Sequence, residues 1–350
     1  DLIETNSFGA NPLVQQDYGL SSIAPDMALA AARLAREAAD AATRKVWVAG
    51  SMGPGSKSLS LVSDFIRPEW RPCSFDEMAA SYAAEARALI EGGVDLIIIE
   101  TCFDALNAKA ALYGVHEARP GFPVIVSVSV SGSSGRVLTG QSLEAFFTAV
   151  SHAPLCAFGL NCSMGVEGLV PLVRSLGSWC PVPLVCYPNA GLPNAKGGYD
   201  ESPEAMACHM VEMDGMVNLY GGCCGTSPDH IHALPTLRSR KVPSCDKSLV
   251  LSGLEIWNMG NGPIKVDTAA HVGKSAGFAG MMERGEYEDA LYAVSDRLAS
   301  DGASILDVNL DGLPDAPAAM ERFIRLIQSD PSVSSAALLI ESTDLETLTN

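Results

Sequence analysis

Short apolar runs alternate with longer segments of helical periodicity along the first 240 residues, and this alternation restricts the chain to few folds. The apolar runs fall at 1–4, 46–49, 94–99, 124–130, 155–159, 182–186 and 216–220. Each is apolar along its whole length rather than at every second position, as strands covered on both faces are. The intervening segments, including 25–44, 75–91, 105–117, 142–152 and 165–176, are rich in Ala, Leu and Glu and carry the helix period. Strands bounded by helices in this rhythm predict parallel β/α units. Seven units are one short of an eight-stranded barrel. The chain starts inside a strand, at Asp1-Leu2-Ile3-Glu4, with no initiating Met, and Asn350 follows another strand-to-loop transition. We therefore expect an internal fragment of α/β class, a (β/α)8 TIM barrel lacking its first strand. A doubly wound sheet is the competing architecture, but no early strand is followed by the Gly-x-Gly-x-x-Gly turn of a dinucleotide fold.

Every apolar run finishes in a polar or glycine-rich segment, and in a β/α barrel those ends converge on one mouth. Two of them carry thiols. Gly221-Gly222-Cys223-Cys224-Gly225-Thr226 follows the seventh run, and Gly159-Leu160-Asn161-Cys162-Ser163 follows the fifth. Adjacent cysteines pair with each other only under strain, yet both can turn toward one soft metal ion where glycines let the backbone fold sharply. Cys162 would face them across the mouth. Three thiolates on zinc leave one position open, which marks a catalytic rather than a closed structural site.

Composition sets the surroundings. The formal net charge is −18 over 350 residues, which argues against nucleic acid as a partner. No apolar stretch approaches the length of a membrane span, and no signal peptide opens the chain. Ten cysteines at irregular spacing suit a reducing compartment better than a disulfide scaffold, so the cytoplasm is the expected location.

The segments Ile99-Glu100-Thr101-Cys102-Phe103-Asp104, Gly159-Leu160-Asn161-Cys162, Pro188-Asn189-Ala190-Gly191-Leu192-Pro193-Asn194 and Gly221-Gly222-Cys223-Cys224-Gly225-Thr226 resemble the homocysteine-binding barrel of cobalamin-dependent methionine synthases, over residues 1 to about 240. The resemblance implies zinc on Cys162, Cys223 and Cys224, and homocysteine entering through its sulfur. It also implies Glu100 on the substrate ammonium; Asn161 and Asn189 are our further candidates for substrate contact. The amide oxygen of Asn189 is our candidate for the open metal position before substrate arrives. The predicted activity is methyl transfer to the homocysteine thiolate, giving methionine, with methylcobalamin as donor.

A charged, Pro-bearing linker is expected at 241–252, between the barrel of residues 1–240 and a second segment, 253–350. From Leu251-Ser252-Gly253-Leu254-Glu255 onward the chain looks like the start of that family's pterin-binding barrel, here truncated. Helices are expected at 286–299 and 316–328, and strands at 303–308 and 336–340. Asp307 and Asn309 match the family's pterin-binding positions. Where the family reads Gly-Glu-Arg-Thr-Asn after its first strand, this chain has Asp267-Thr268-Ala269-Ala270-His271, so folate binding is not expected. The family's Asp-Gly-rich turn after the first strand is missing, as is the corrinoid signature Asp-x-His-x-x-Gly. Methylcobalamin would come from a corrinoid-binding module in the same polypeptide or in a separate protein.

Two other functions fit the same residues. One is a stand-alone thiol methyltransferase with a sulfonium or betaine donor; the other is a zinc-stabilised barrel without catalysis. Plainer readings also exist for single residues. Free cysteines pack as small apolar groups, Glu100 can pair with a basic side chain, and Asn189 and Asn194 can simply make turns. Cys102, Cys73, Cys156, Cys180, Cys186, Cys208 and Cys245 read as structural, and His230 and His232 as packing or capping residues.

Overall fold

A computed structural model describes residues 1–244 and 248–349, in two compact units. Cys245, Asp246 and Lys247 of the expected linker, and Asn350, lie outside the described residues. The first unit comprises Asp1–Leu59, Cys73–Thr139 and Val150–Asp246; the second comprises Ser60–Pro72, Gly140–Ala149 and Lys247–Asn350.

In chain order the elements up to residue 233 are β1 (Leu2–Glu4), α1 (Pro12–Gln16), α2 (Ala24–Asp40), β2 (Trp47–Met52), α3 (Phe75–Glu91), β3 (Leu96–Cys102), α4 (Ala105–Ala118) and β4 (Val124–Val128). They continue with α5 (Leu143–Val150), β5 (Leu155–Asn161), α6 (Val166–Trp179), β6 (Leu184–Tyr187), α7 (Pro203–Met210), β7 (Leu219–Tyr220) and α8 (Pro228–Ala233). The seven strands form one parallel sheet in sequence order. The sheet is curled. Leu2 of β1 and Leu219 of β7, from its two edges, pack on one cluster of Ala49, Ile98, Ile125, Ala157, Val185 and Tyr187. Only a sheet rolled toward itself brings its two edges to one inner core, so the fold is a TIM-like parallel half-barrel. Among the described residues no strand links β7 to β1.

Local chemistry explains the element bounds. Ser74 caps α3 in a reciprocal box: its hydroxyl accepts from Glu77 N at 3.1 Å, and Glu77 Oε2 accepts from Ser74 N at 2.8 Å. The Asp104 carboxylate caps α4 through Leu106 N at 2.9 Å. Helices α3 and α4 cross closely at Gly114, where a Cβ would lie 2.7 Å from Ala83 N. The strand expected over 216–220 shrinks to Leu219–Tyr220. Asn218 explains this, since its Oδ1 accepts from Leu184 N at 2.9 Å and its Nδ2 donates to Arg240 O at 2.9 Å. A side-chain amide thus takes over bonds that a ladder would use. Arg240 is itself buried, donating to Cys180 O at 2.6 Å, Val182 O at 3.0 Å and Gly177 O at 3.2 Å. It satisfies carbonyls at and beyond the C-terminal end of α6.

Glu85 of α3 is fully buried. Its Oε2 accepts from Asn11 Nδ2 at 3.1 Å, and its Oε1 has no partner. Burial pushes its carboxyl well above the ordinary 4.5, against the pull of the Asn11 donor. The folded chain therefore holds a proton that the unfolded chain releases near pH 4.5, and this stabilisation fades as pH rises toward the folded value. Glu85→Gln removes that proton linkage. We expect its stability relative to the parent to increase between pH 5 and pH 8 in urea titrations. A difference that stays constant across that range would refute the assignment.

The second unit carries β8 (Val250–Ser252), β9 (Ile256–Asn258), β10 (Val266–His271), α9 (Ala276–Glu283), α10 (Tyr287–Asp301), β11 (Ile305–Asn309), α11 (Ala316–Ser329), α12 (Pro331–Ser334), β12 (Ala337–Ile340) and α13 (Leu345–Thr349). Strands β10, β11 and β12 are parallel and adjacent. Their core joins Ala270, Leu306 and Val308 to Phe278, Val294 and Phe323 of the helices. Residues 251–255, expected to open a second barrel, instead belong to an antiparallel hairpin of β8 and β9. Asp267 to His271, expected beyond a strand end, lies inside β10, with an irregular register between Asp267 and Ala270. The polar Asp267 is tolerated there because its Oδ1 accepts from Ala269 N at 2.7 Å and faces Arg297 at 3.2 Å.

Candidate metal centre

The loop after β6 explains how cysteines on β5 and β7, which are not neighbours in the sheet, come to meet. Residues 187–190 run between the two thiol segments and bond to both. On one side Cys162 N donates to Tyr187 O at 3.2 Å and Asn189 N to Met164 O at 3.1 Å. On the other, Cys223 N donates to Pro188 O at 2.7 Å and Ala190 N to Cys224 O at 2.9 Å. Cys162 and Ser163 are both left-handed, at φ 58° and 65°. Two such non-glycine residues in a row store strain of a kind that collects at functional sites. Ser163 holds the turn through its hydroxyl, which accepts from Val130 N at 2.9 Å.

The result is a compact sulfur cluster. Ligand atoms of Cys162, Cys223 and Cys224 all lie within 4.8 Å of one another, and Cys162 Sγ is 3.7 Å from Cys224 Sγ. A tetrahedron with Zn–S bonds near 2.3 Å has S···S edges of roughly 3.8 Å, so the spacing fits one zinc ion. Cys224 is exposed and the other two are half-buried, which leaves one side of the cluster open. Electrostatics point the same way. A hydrogen bond from the Cys223 thiol holds Cys162 well below the ordinary thiol range. Cys223 is pushed up by that same bond and by burial, and Cys224 by burial and the Cys162 charge. Three thiolates this close cannot ionise together without a cation.

Asn161 is fully buried beneath the cluster. Its Oδ1 accepts from Thr101 N at 3.0 Å and Ser127 Oγ at 2.7 Å. Its Nδ2 donates to Thr101 Oγ1 at 2.8 Å and Cys223 Sγ at 3.8 Å. Both ends of the amide are committed to the protein, so its place is under Cys223 rather than on substrate. Asn189 Oδ1, expected toward the metal, accepts from Cys224 N at 3.2 Å, and its side chain helps hold the Cys162 pKa down. Glu100, at the end of β3, is buried and takes a short hydrogen bond from Ser51 Oγ. Burial raises its pKa, with the nearby Cys162 charge adding to the effect. Glu4 is exposed on one side, yet the protein packed around it and then the Glu100 charge push it up to about 8. The Tyr187 hydroxyl is buried without a hydrogen-bond partner, close enough to Glu100 and Glu4 to feel their charge.

Other sequence candidates lie elsewhere. Cys102 is buried, with its thiol directed to Ile99 O. His230 caps the start of α8 by accepting from Ser227 N at 3.1 Å, and its Nε2 is 2.9 Å from Glu201 O. Asn194 makes a turn, with its Oδ1 accepting from Lys196 N and Gly198 N. In the second unit, Asp307 and Asn309 lie on β11. Asp307 is buried, its Oδ2 taking Lys274 Nζ at 2.9 Å while Oδ1 has no partner. Asn309 Oδ1 accepts from Asp311 N at 3.0 Å. His271 and Glu341 offer ligand atoms within 4.8 Å of Asp307. Sequence reasoning missed Ser51, Tyr187 and Tyr199 near the cluster. Only Tyr187 carried a signal, as the residue directly after the apolar run 182–186.

A family model described as homocysteine S-methyltransferase matches residues 1–237. Among solved structures, the metallated form of the homocysteine methyltransferase MmuM from Escherichia coli is 25% identical, over 67% of this chain and 78% of that chain, with a TM-score of 0.50. The oxidized form of the same protein is 24% identical, over 66% of this chain and 77% of that one, with a TM-score of 0.52.

Proposed function

The chain belongs to the homocysteine S-methyltransferase family and is a methyltransferase, and on that premise we propose that Cys162, Cys223 and Cys224 hold a zinc ion at which homocysteine is methylated to methionine. The observation that carries this reading is the three-sulfur cluster, spaced for one tetrahedral ion and open on one side. Zinc bound there would keep a coordinated thiol in its nucleophilic thiolate form at neutral pH. The chain's own groups do the rest. Asn161 and the loop 187–190 fix the sulfurs, so little reorganisation is left for the reaction. Glu100 would receive the substrate ammonium in a charge-assisted bond, with Ser51 orienting its carboxylate.

Methylcobalamin is the proposed donor, brought by a corrinoid module in the same polypeptide or a separate protein, within a methionine synthase of the cytoplasm. That part rests on the sequence resemblance, including the segment 253–350 with its pterin-like Asp307 and Asn309. A second reading is a stand-alone enzyme using a sulfonium or betaine donor; the likeness to the E. coli homocysteine methyltransferase is compatible with either donor. Folate is not proposed as a ligand of either form.

Zinc content and zinc-edge X-ray absorption, with and without homocysteine, test the centre. We expect one zinc with three sulfurs, rising to four with homocysteine. A metal-free protein, or a shell indifferent to homocysteine, would overturn the proposal. Supplying methylcobalamin or a sulfonium to the loaded protein then separates the two donors.

A further inference from the structure

Among the described residues, three that are not glycine adopt left-handed backbone, and all lie at the C-terminal ends of β3 and β5: Thr101, Cys162 and Ser163. Thr101, at φ 58°, is the costliest, because β-branched side chains resist that region. It sits in a bulge. Ile99 pairs with Val126 and Cys102 with Val128, so β3 takes three steps where β4 takes two. A bulge leaves its extra residue out of the ladder and re-aims the side chains around it. Asn161, at the end of β5, holds this one. Its Oδ1 accepts from Thr101 N at 3.0 Å and from Ser127 Oγ, opposite the bulge on β4, at 2.7 Å. Its Nδ2 donates to Thr101 Oγ1 at 2.8 Å and to Cys223 Sγ at 3.8 Å. A backbone N–H can only donate, so the Thr101 bond fixes which end of the amide faces the strand. Backbone strain persists only where the surroundings over-determine it. Here one fully buried amide does so, with two bonds to the strained residue.

We propose that Asn161 is a positioning residue for substrate choice: by locking the Thr101 bulge it holds Glu100 and Cys223 at a fixed separation, so that the site selects thiols carrying an ammonium group at the homocysteine spacing. This rests on the reading of Glu100 and the zinc centre given above. Glu100 directly precedes Thr101, so its backbone follows the bulge, while Ser51 steadies only its carboxylate. The same Asn161 amide touches a metal-binding sulfur. An aminothiol must reach both places at once, and it gains from the second only where their separation is preset. Without Asn161, Thr101 relaxes out of the left-handed region and carries the Glu100 backbone with it. A thiol that lacks the ammonium needs only the sulfur end and is indifferent to that shift.

Calorimetry on the zinc-loaded full chain tests this by comparing L-homocysteine with 4-mercaptobutanoate, the same thiol without its ammonium. The parent is expected to bind homocysteine the more tightly. In Asn161→Ala that preference falls roughly tenfold. Adding Thr101→Gly to that variant restores part of it, because glycine holds the left-handed backbone unaided. Thr101→Val keeps the shape of the half-buried side chain and removes only the hydroxyl that Asn161 Nδ2 grips. It is the gentler variant should Asn161→Ala fail to fold, and a smaller fall in the same direction is expected. If Asn161 merely supports the fold or the sulfurs, both thiols weaken alike. That result overturns the proposal, as does an unchanged preference in either variant or a loss that Thr101→Gly does not relieve; each leaves the zinc centre standing. A parent that binds no zinc, or binds both thiols equally, overturns the reading beneath it as well.

Discussion

Cys223→Ala is expected to empty the centre and reduce homocysteine methylation to the uncatalysed background. Cys223 lies within 4.8 Å of the other two sulfurs and rests on Asn161 Nδ2 at 3.8 Å. Removing it leaves two sulfurs, and the Asn161 donor then faces an alanine methyl. Loss of an outer partner alone costs roughly 10- to 100-fold in metal affinity, so loss of a ligand should exceed that range. Zinc per chain, measured after dialysis against a weak chelator, is expected to fall from about one to near zero. Cys208→Ser is the matched control, since Cys208 is exposed and lies on α7 outside the cluster. Full zinc occupancy in Cys223→Ala, or equal loss in Cys208→Ser, would show that the ion sits elsewhere. Because all three thiols must lose protons on binding, zinc retention in the parent is also expected to weaken as pH falls.

The second large effect belongs to Gly159, three residues before Cys162. A Cβ built there would lie 1.7 Å from Val185 O and 2.7 Å from Val185 C. Gly159 is paired with Val185 in the β5–β6 register, so the obstacle is backbone in the middle of the sheet and has nowhere to move. Gly159→Ala is expected to destabilise by about 3–5 kcal/mol, with a melting temperature lower by about 10 °C. Gly177→Ala makes the comparison sharp. It adds the same methyl inside α6, where the nearest atom is Arg240 Nε at 3.7 Å, and helix propensity favours alanine by about 1 kcal/mol. A melt of Gly159→Ala within ~2 °C of the parent would mean that β5 and β6 do not approach as described.

The residues differ in how much of this the sequence disclosed. Cys162 and the 223–224 pair were legible because thiols at two separate strand ends have one meeting place once the strands are parallel and the sheet curls. Helices α3 and α4 were legible because Ala, Leu and Glu carry the helix period over 75–91 and 105–117. Asn161 was legible as a neighbour of the cluster but not in its role. Whether an amide faces substrate or is consumed by Thr101, Ser127 and Cys223 depends on four contacts, all of them far along the chain. Tyr199, whose ring packs on Gly225, gave no signal, because the reason for its place is an atom that Gly225 lacks. The brevity of β7 was hidden for a related reason: Asn218 reads as one polar residue in an apolar run until its amide is seen bonding Leu184 and Arg240. In β10, the resemblance misled: it put Asp267 beyond a strand end, whereas its bonds to Ala269 and Arg297 make it tolerable in a strand.

The 62 positions that separate Cys162 from Cys224 also bear on the order of folding. Any ion gripped by both closes a chain loop that contains α6, β6 and α7, and closing a loop of this length by a covalent bridge stabilises by about 4 kcal/mol in the chain-entropy model. The grip is available only after Tyr187 to Ala190 has docked between the two thiol turns, so the ion arrives late, as a clasp on finished architecture rather than a seed for it. Its removal should therefore loosen one contiguous stretch, residues 162–224, ahead of the rest, and amide exchange would report the metal-free chain as a protein with one unlatched section.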